Sequence, residues 1–255
     1  MIPKKIHYCW FGNGEKTPLI QNCILSWKKH LPEYEIKEWN ESNFDVHINP
    51  FVKSAYASKK WAFVSDYARV HALFQEGGIY LDTDMELKQN LNIFLQNRAF
   101  TGFETKGIVL TAIWGAEKGH SWPKKVLDYY DSLPELITDP NTFYISKLLE
   151  SDFGLKVNQD ITQQIKEGIC IYPSSYFCMD LEPNYATHHF DGSWLTSKQT
   201  YKSLVNKDYH LHQMLQYNHE DLLYYLYKKG KFGKKDILNL LLKLFKLKYL
   251  KFLSK

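Results

Sequence analysis

Residues 77–86, GGIYLDTDME, constrain the fold of this chain more than any other stretch. Two glycines stop what precedes them, a short apolar run follows, and two aspartates with one residue between them close it. Ile79–Leu81 reads as a buried strand. Side chains two apart on a strand point the same way, so Asp82 and Asp84 leave the strand end together, with Thr83 between them. In an open α/β sheet that end is where ligands bind. Two carboxylates held close and partly dry repel each other unless a cation sits beside them. Mg²⁺ or Mn²⁺, an oxygen-seeking ion that shares its sphere with substrate phosphates, is the natural partner. An exposed acidic turn is the plainer account, and Asp-x-Asp alone does not separate the two.

The elements around this stretch predict an α/β fold. Lys5–Phe11 is a first buried strand running into Gly12 and Gly14. Pro18–His30 carries Leu19, Cys23, Ile24 and Trp27 at helical spacing, and Tyr34–Trp39 alternates as a second strand. A β-α-β start favours a parallel, doubly wound sheet. Residues 51–76 read as one long helical region stopped by Gly77-Gly78. Phe100–Phe103 and Ile108–Trp114 are strand-like, Trp122–Leu133 and Thr142–Glu150 helical, and Ile169–Pro173 a late strand. Residues 183–197, PNYATHHFDGSWLTS, read as loop. In the helix before the glycines, Asp66 and Arg69 share a face at i, i+3. A surface ion pair would be ordinary there, but the apolar run WAFVSDYARVHAL predicts that both are half-buried, where an unpaired charge is costly.

Apolar residues make up 44% of 255, enough for a real core, and charged residues 24%. The net charge of +4 comes from a lysine-rich segment after residue 227, so no basic face for nucleic acid is expected. Cys9, Cys23, Cys170 and Cys178 form no CxxC pair and read as buried thiols in a reducing compartment. The N-terminal stretch lacks the apolar run of a signal peptide. No segment has the ~20 apolar residues of a spanning helix. The expectation is a cytoplasmic protein, peripheral at the inner face of the membrane. Residues 1–227 form the main domain. Residues 228–255 form a basic, apolar C-terminal helix that lies in a membrane interface, or packs on the domain or on a second subunit.

The run WAFVSDYARVHALFQEGGIYLDTDMEL, with IPKKIHYCWFG at the N-terminus, resembles glycosyltransferase family 32, whose members carry a DxD sugar-binding region. It is also similar to the catalytic domain of the large glucosylating toxins. The SDxxR, GGIYLDxD and IHxxWFG elements cover about the first hundred residues in the family's order. The resemblance implies a GT-A (Rossmann-like) fold with a mixed central sheet, a nucleotide-sugar donor, a divalent metal and retention at the anomeric carbon. It implies that Asp84 ligates the metal and that Asp82 contacts the ribose and the metal shell. Asp66 and Arg69 would hold the donor sugar, Arg69 also meeting charge on the diphosphate, and Trp10 would stack on the base. A core position is the plainer account of Trp10.

The late run YATHHFDGSW adds His188 and His189 as metal ligands by the same resemblance, with the choice between them open. Ser193 and Trp194 resemble a donor-binding Ser-x-Trp, although here the two are adjacent. GIVLTAIWGAEKGHSW resembles the acceptor side, with Thr111 and His120 as contacts. The family's asparagine is missing there, and Ala112 lies near its place. The expected function is metal-dependent, retaining transfer from a nucleotide-sugar, UDP-linked, to a saccharide or lipid-linked saccharide in surface-polysaccharide synthesis. A toxin-like effector acting on a protein, or a metal-dependent phosphohydrolase, stays as the alternative.

Overall fold

The structure, a computed structural model, describes residues 1–105, 107–180, 182–191 and 233–253, with side chains up to residue 246. The chain divides into two compact units, Met1–His189 and Phe190–Lys255.

In the first unit, β1 (Lys5–Cys9) is followed by α1 (Pro18–His30) and β2 (Glu35–Trp39). Thr17 caps α1 by accepting from the Ile20 N–H, Pro18 opens it, and Lys28, Lys29 and His30 crowd its last turn. These three signals are what a helix N-terminus and C-terminus favour. β1 lies between β2 and β3 (Gly78–Leu81), parallel to both. Alternation on β1 turns Tyr8 toward Trp27 of α1, ring centroids 5.5 Å apart, and Cys9 into the core on the opposite face.

The expected single helical region over 51–76 is two helices, α2 (Pro50–Ala57) and α3 (Trp61–Glu76). Lys59 adopts φ 56° and the Lys60 N–H reaches back to the Ala55 carbonyl, which ends α2 before α3 starts. Gly77 and Gly78, at φ 68° and 113°, end α3 and begin β3. A Cβ on Gly77 would lie 2.6 Å from the Lys118 nitrogen, and one on Gly78 2.7 Å from the Lys5 carbonyl. The turn between helix and strand therefore has room for glycine alone.

The chain continues through β4 (Met85–Leu87), β5 (Ala99–Thr105), β6 (Ile108–Val109), β7 (Ile113–Ala116), α4 (Ser121–Ser132), α5 (Asn141–Leu148), β8 (Gln163–Gln164), β9 (Ile169–Tyr172), α6 (Ser174–Phe177) and β10 (Ala186–His188). The main sheet runs β2-β1-β3-β7-β5-β9-β8, with β6 on β5. β7 is antiparallel to both neighbours, so the parallel sheet that the β-α-β start favours gives way to a mixed one. Nor is Ile108–Trp114 one strand. Leu110, Thr111 and Ala112 leave the ladder, and the Thr111 and Ala112 carbonyls are spent on Arg69 and on the Asp82 N–H. The segment expected as loop contains β10, which pairs antiparallel with β4. Aromatic residues fill the core between the sheet and α2–α4, with Trp114 and Trp122 stacked at 4.1 Å. All four cysteines are buried and in no disulfide.

In the second unit, Lys234–Leu253 is a helix. Leu238, Leu241, Leu242 and Phe245 are exposed on it at i, i+3, i+4 and i+7. They form one apolar stripe, while Leu240 and Leu244 are buried. Among the described residues no helix is long and apolar enough to cross a membrane.

Candidate functional site

The register of β1 against β3 pairs Ile6 with Ile79 and His7 with Tyr80, so Trp10 and Asp82 leave the same sheet edge. His7 fastens that edge from below. Its Nδ1 accepts from Trp39 Nε1 at 3.0 Å, which leaves Nε2 to carry the proton and donate to the Gly77 carbonyl at 2.7 Å. Burial lowers its pKa, in keeping with a neutral ring. Trp10 is half-buried. Its Nε1 donates to the Gly14 carbonyl at 2.7 Å, and Lys16 Nζ lies 5.1 Å from the ring centroid.

Asp82 is the hub. Its N–H donates to the Ala112 carbonyl at 2.8 Å. Its Oδ1 accepts from the Tyr80 hydroxyl at 2.7 Å and lies 3.3 Å from Arg69 Nη2. The same Nη2 lies 2.8 Å from Asp66 Oδ1, while Nη1 donates to the Thr111 carbonyl at 2.9 Å. Tyr80 lies under the guanidinium, 4.7 Å from its centre. Arg69 is thus fixed on several sides. Burial opposes its charge, but Asp82 first, then Tyr80 and Asp66, hold its pKa above the ordinary value. Asn141 closes the ring, donating Nδ2 to Asp66 Oδ1 at 2.8 Å while its Oδ1 accepts from the Thr111 hydroxyl at 3.1 Å. Burial pushes the Asp66 carboxyl up to about 7, against the pull of Arg69. Both residues of the i, i+3 pair are at least mostly buried, with 14% and 6% of the Asp66 and Arg69 side chains exposed.

The second cluster forms where β4 meets β10. The pairing of His188 with Met85 sets the histidine beside Asp84, with Nε2 3.4 Å from Oδ1. One ligand atom each of Asp82, Asp84 and His188 lies within 4.8 Å of the others, a group able to hold a metal ion. Two carboxylates and an imidazole suit a divalent ion of the Mg²⁺, Mn²⁺ or Zn²⁺ kind. Burial alone would lower the His188 pKa, yet the Asp84 carboxylate outweighs it and holds the imidazole above its ordinary value. Neighbours on a strand point apart, and His189 turns the other way. Its Nε2 lies 2.8 Å from Glu86 Oε2, and that hydrogen bond, with help from Lys88, holds the Glu86 carboxyl at about 2.

Several further residues behave differently from their sequence reading, or escaped it. His120 caps α4, its Nδ1 accepting from the Trp122 N–H while its Nε2 meets the Glu167 carbonyl, so both ring nitrogens are engaged in structure. Thr111 faces Asn141. Ser193 and Trp194 lie outside the described residues. Tyr80 was legible: it sits two positions before Asp82 on a strand, hence on the same face. Asn141 was not, since it arrives at the start of α5, 75 positions from Asp66. Cys9 lies beside the site, but burial pushes its thiol up to about 12, which keeps it from acting as a thiolate.

Comparison with known proteins follows these residues. Residues 18–101 match the family described as "Glycosyltransferase sugar-binding region containing DXD motif". A curated relative, "Uncharacterized glycosyltransferase L373" of Acanthamoeba polyphaga mimivirus, is 29% identical over 142 residues, covering 51% of this chain and 54% of the relative. The chain therefore spans about half the length of that relative. Among solved structures, "PaToxG Glycosyltransferase" is similar at a TM-score of 0.43 and 19% identity, covering 59% of this chain and 70% of that one. A glycosyltransferase involved in glycosylation of the major capsid of PBCV-1 is similar at 0.41 and 11%, covering 72% and 92%.

Proposed function

We propose that this chain, whose residues 18–101 match a DXD-bearing glycosyltransferase region, is a metal-dependent transferase of GT-A type. It moves a sugar, with retention, from a UDP-linked nucleotide-sugar to a saccharide or lipid-linked saccharide in surface-polysaccharide synthesis. One observation carries this reading. Asp82 belongs at once to the Asp82–Asp84–His188 group and to the buried Asp66–Arg69 pair, so a metal and a sugar-gripping cation share one carboxylate.

Transfer builds positive charge on the sugar ring and negative charge on the departing diphosphate. Asp82, Asp84 and His188 are the residues that would hold Mn²⁺ or Mg²⁺. When bound there, such an ion neutralises charge on a diphosphate oxygen. Arg69 is aimed from the other side by Asp66, Asp82 and Thr111, so its charge is in place before reaction and costs no reorganisation. Asp66 meets hydroxyls of the transferred sugar. Trp10, at the β1 end, offers a face to the base. Ser193 and Trp194 keep the donor-binding role that the resemblance implies. His189, held on Glu86, serves to fix the strand that carries His188.

The test is calorimetric titration of UDP-glucose, UDP-galactose, UDP-N-acetylglucosamine and GDP-mannose, with and without Mn²⁺, into the full chain and into Asp84→Asn. One nucleotide-sugar should bind the wild type in a Mn²⁺-dependent manner, and the variant should lose that dependence. Metal-independent binding, or none, overturns the reading.

The stripe Leu238, Leu241, Leu242 and Phe245, flanked by Lys235, Lys243 and Lys246, supports peripheral contact with an anionic membrane on the cytoplasmic side. Each lysine near such a surface contributes ~1 kcal/mol. Replacing Leu242 and Phe245 by serine should release the protein from vesicles containing phosphatidylserine in a sedimentation assay, and unchanged sedimentation would reject the contact.

A further inference from the structure

A cavity of about 340 Å³ opens beside Asp66, between α2, α3, α4 and the segment leading into and beginning α5. Its size falls in the range of small-molecule sites. Asp66 and Asn141 are its polar floor. Tyr129 and Tyr144 line it as a stacked pair, ring centroids 3.5 Å apart and 14° from parallel. Phe143 stands at its mouth with 60% of its surface exposed, and Asp139 beside it is exposed too. A large apolar ring left in water next to a concave aromatic wall is a surface suited to a partner.

The lining chemistry narrows what that partner is. No lysine or arginine lines the cavity, while two carboxylates do. A diphosphate or any other anion is therefore disfavoured there. A purely apolar ligand is disfavoured by the floor, where burying a carboxylate and an amide against hydrocarbon leaves them without hydration. A neutral pyranose satisfies both conditions: its C–H face lies on aromatic rings, and its hydroxyls donate to carboxylate oxygens. The contacts of Asp66 with Arg69 and with Asn141 both fall on Oδ1. Oδ2 is the oxygen that a hydroxyl in the cavity can meet. The Thr111 hydroxyl fixes the Asn141 amide, so the floor is already arranged.

We propose that this cavity binds a neutral hexose of the acceptor saccharide, stacked on the Tyr129–Tyr144 wall beside Phe143 with a hydroxyl on Asp66 Oδ2. The assignment rests on the transferase reading above and deepens it. Asp66 then lies between the donor side, reached through Arg69 and Asp82, and the acceptor side, and acts on both sugars.

Saturation-transfer NMR with the methyl glycosides of glucose, galactose, mannose and N-acetylglucosamine tests this, each titrated with and without Mn²⁺ and UDP. At least one glycoside should receive saturation at its ring protons. Phe143→Ala and Asp139→Asn, both at exposed positions that leave the core intact, should each weaken that glycoside by about fivefold, the range of a lost aromatic or hydrogen-bonded contact. Mn²⁺-dependent UDP affinity should stay unchanged in both variants. The assignment is overturned if no glycoside binds in either condition, or if neither variant weakens it. Loss of UDP binding in the wild type marks failure of the transferase reading instead, because the glycoside arm without nucleotide is read separately.

Discussion

The two halves of the site handle buried charge in opposite ways. On α3, Asp66 and Arg69 are compensated within the chain. Asn141 and Thr111 supply hydrogen bonds to them, Asp82 opposite charge and Tyr80 a ring face under Arg69, all fixed before any ligand arrives. At the β3 end, Asp82, Asp84 and His188 bring two carboxylates and an imidazole within 4.8 Å of one another, an arrangement that could hold a cation from outside. The first half is part of the folding free energy and the second belongs to ligand binding. Removing a charge from the first therefore destabilises the protein, while removing one from the second weakens what it holds.

The largest effect expected is that of Arg69→Leu. It leaves Asp66 and Asp82 facing each other without their cation, and breaking a buried pair this way costs about 3–5 kcal/mol. Urea unfolding should show that loss, and a drop below about 1 kcal/mol would mean that the α3 half is not internally compensated. Asp84→Asn is next and opposite in kind. Mn²⁺-dependent nucleotide affinity should fall by at least about tenfold to a hundredfold, the scale seen when metal-site support is lost. Metal-free stability should fall by less than in Arg69→Leu, because asparagine relieves the repulsion between Asp84 and Asp82 even as it removes the charge facing His188. A large loss of apo stability in Asp84→Asn would erase the contrast.

The smallest effect is in pH dependence, and its sign can be worked out. An unfolded Asp titrates near ~3.9, whereas burial raises folded Asp66 to about 7. Between those values the folded state keeps a proton that the unfolded state has lost, so this contribution to apo stability is full below pH ~4 and lost as pH rises through 7. His188, also raised by Asp84, follows the same direction. Metal binding runs the other way, because the imidazole must be neutral to ligate. Between pH 4 and 8, the apo melting temperature of the wild type should fall relative to that of Asp66→Asn as pH rises, while the increment given by Mn²⁺ grows. Equal slopes for Asp66→Asn and wild type would remove Asp66 from the account.

Much of this was legible in sequence because it depends on local periodicity. The alternation of a strand placed Asp82 and Asp84 together, and the three-residue step of a helix paired Asp66 with Arg69. The glycine pair marked the turn between them. What escaped reading depends on tertiary placement. A positive φ at Lys59 breaks one helical stretch into two, and nothing in a lysine announces it. Thr111 and Ala112 have strand composition but give their carbonyls to the site instead of a ladder. Asn141 stands beside Thr111, next to the Ala112 position where the family's asparagine is missing, but it comes from the start of α5. The two adjacent histidines could be told apart only once β10 was seen to pair with β4, since the strand sends one to Asp84 and the other to Glu86.

That pairing also fixes an order of assembly. The bond between His189 and Glu86 spans 103 positions, and the ladder beside it brings His188 to Asp84. During synthesis, both aspartates and the arginine emerge long before the third ligand exists. A nascent chain that has folded only through the main sheet can present two carboxylates but cannot close the triad. On the proposed function, tight metal capture is a mark of chains completed past residue 188, and partial products are left without it.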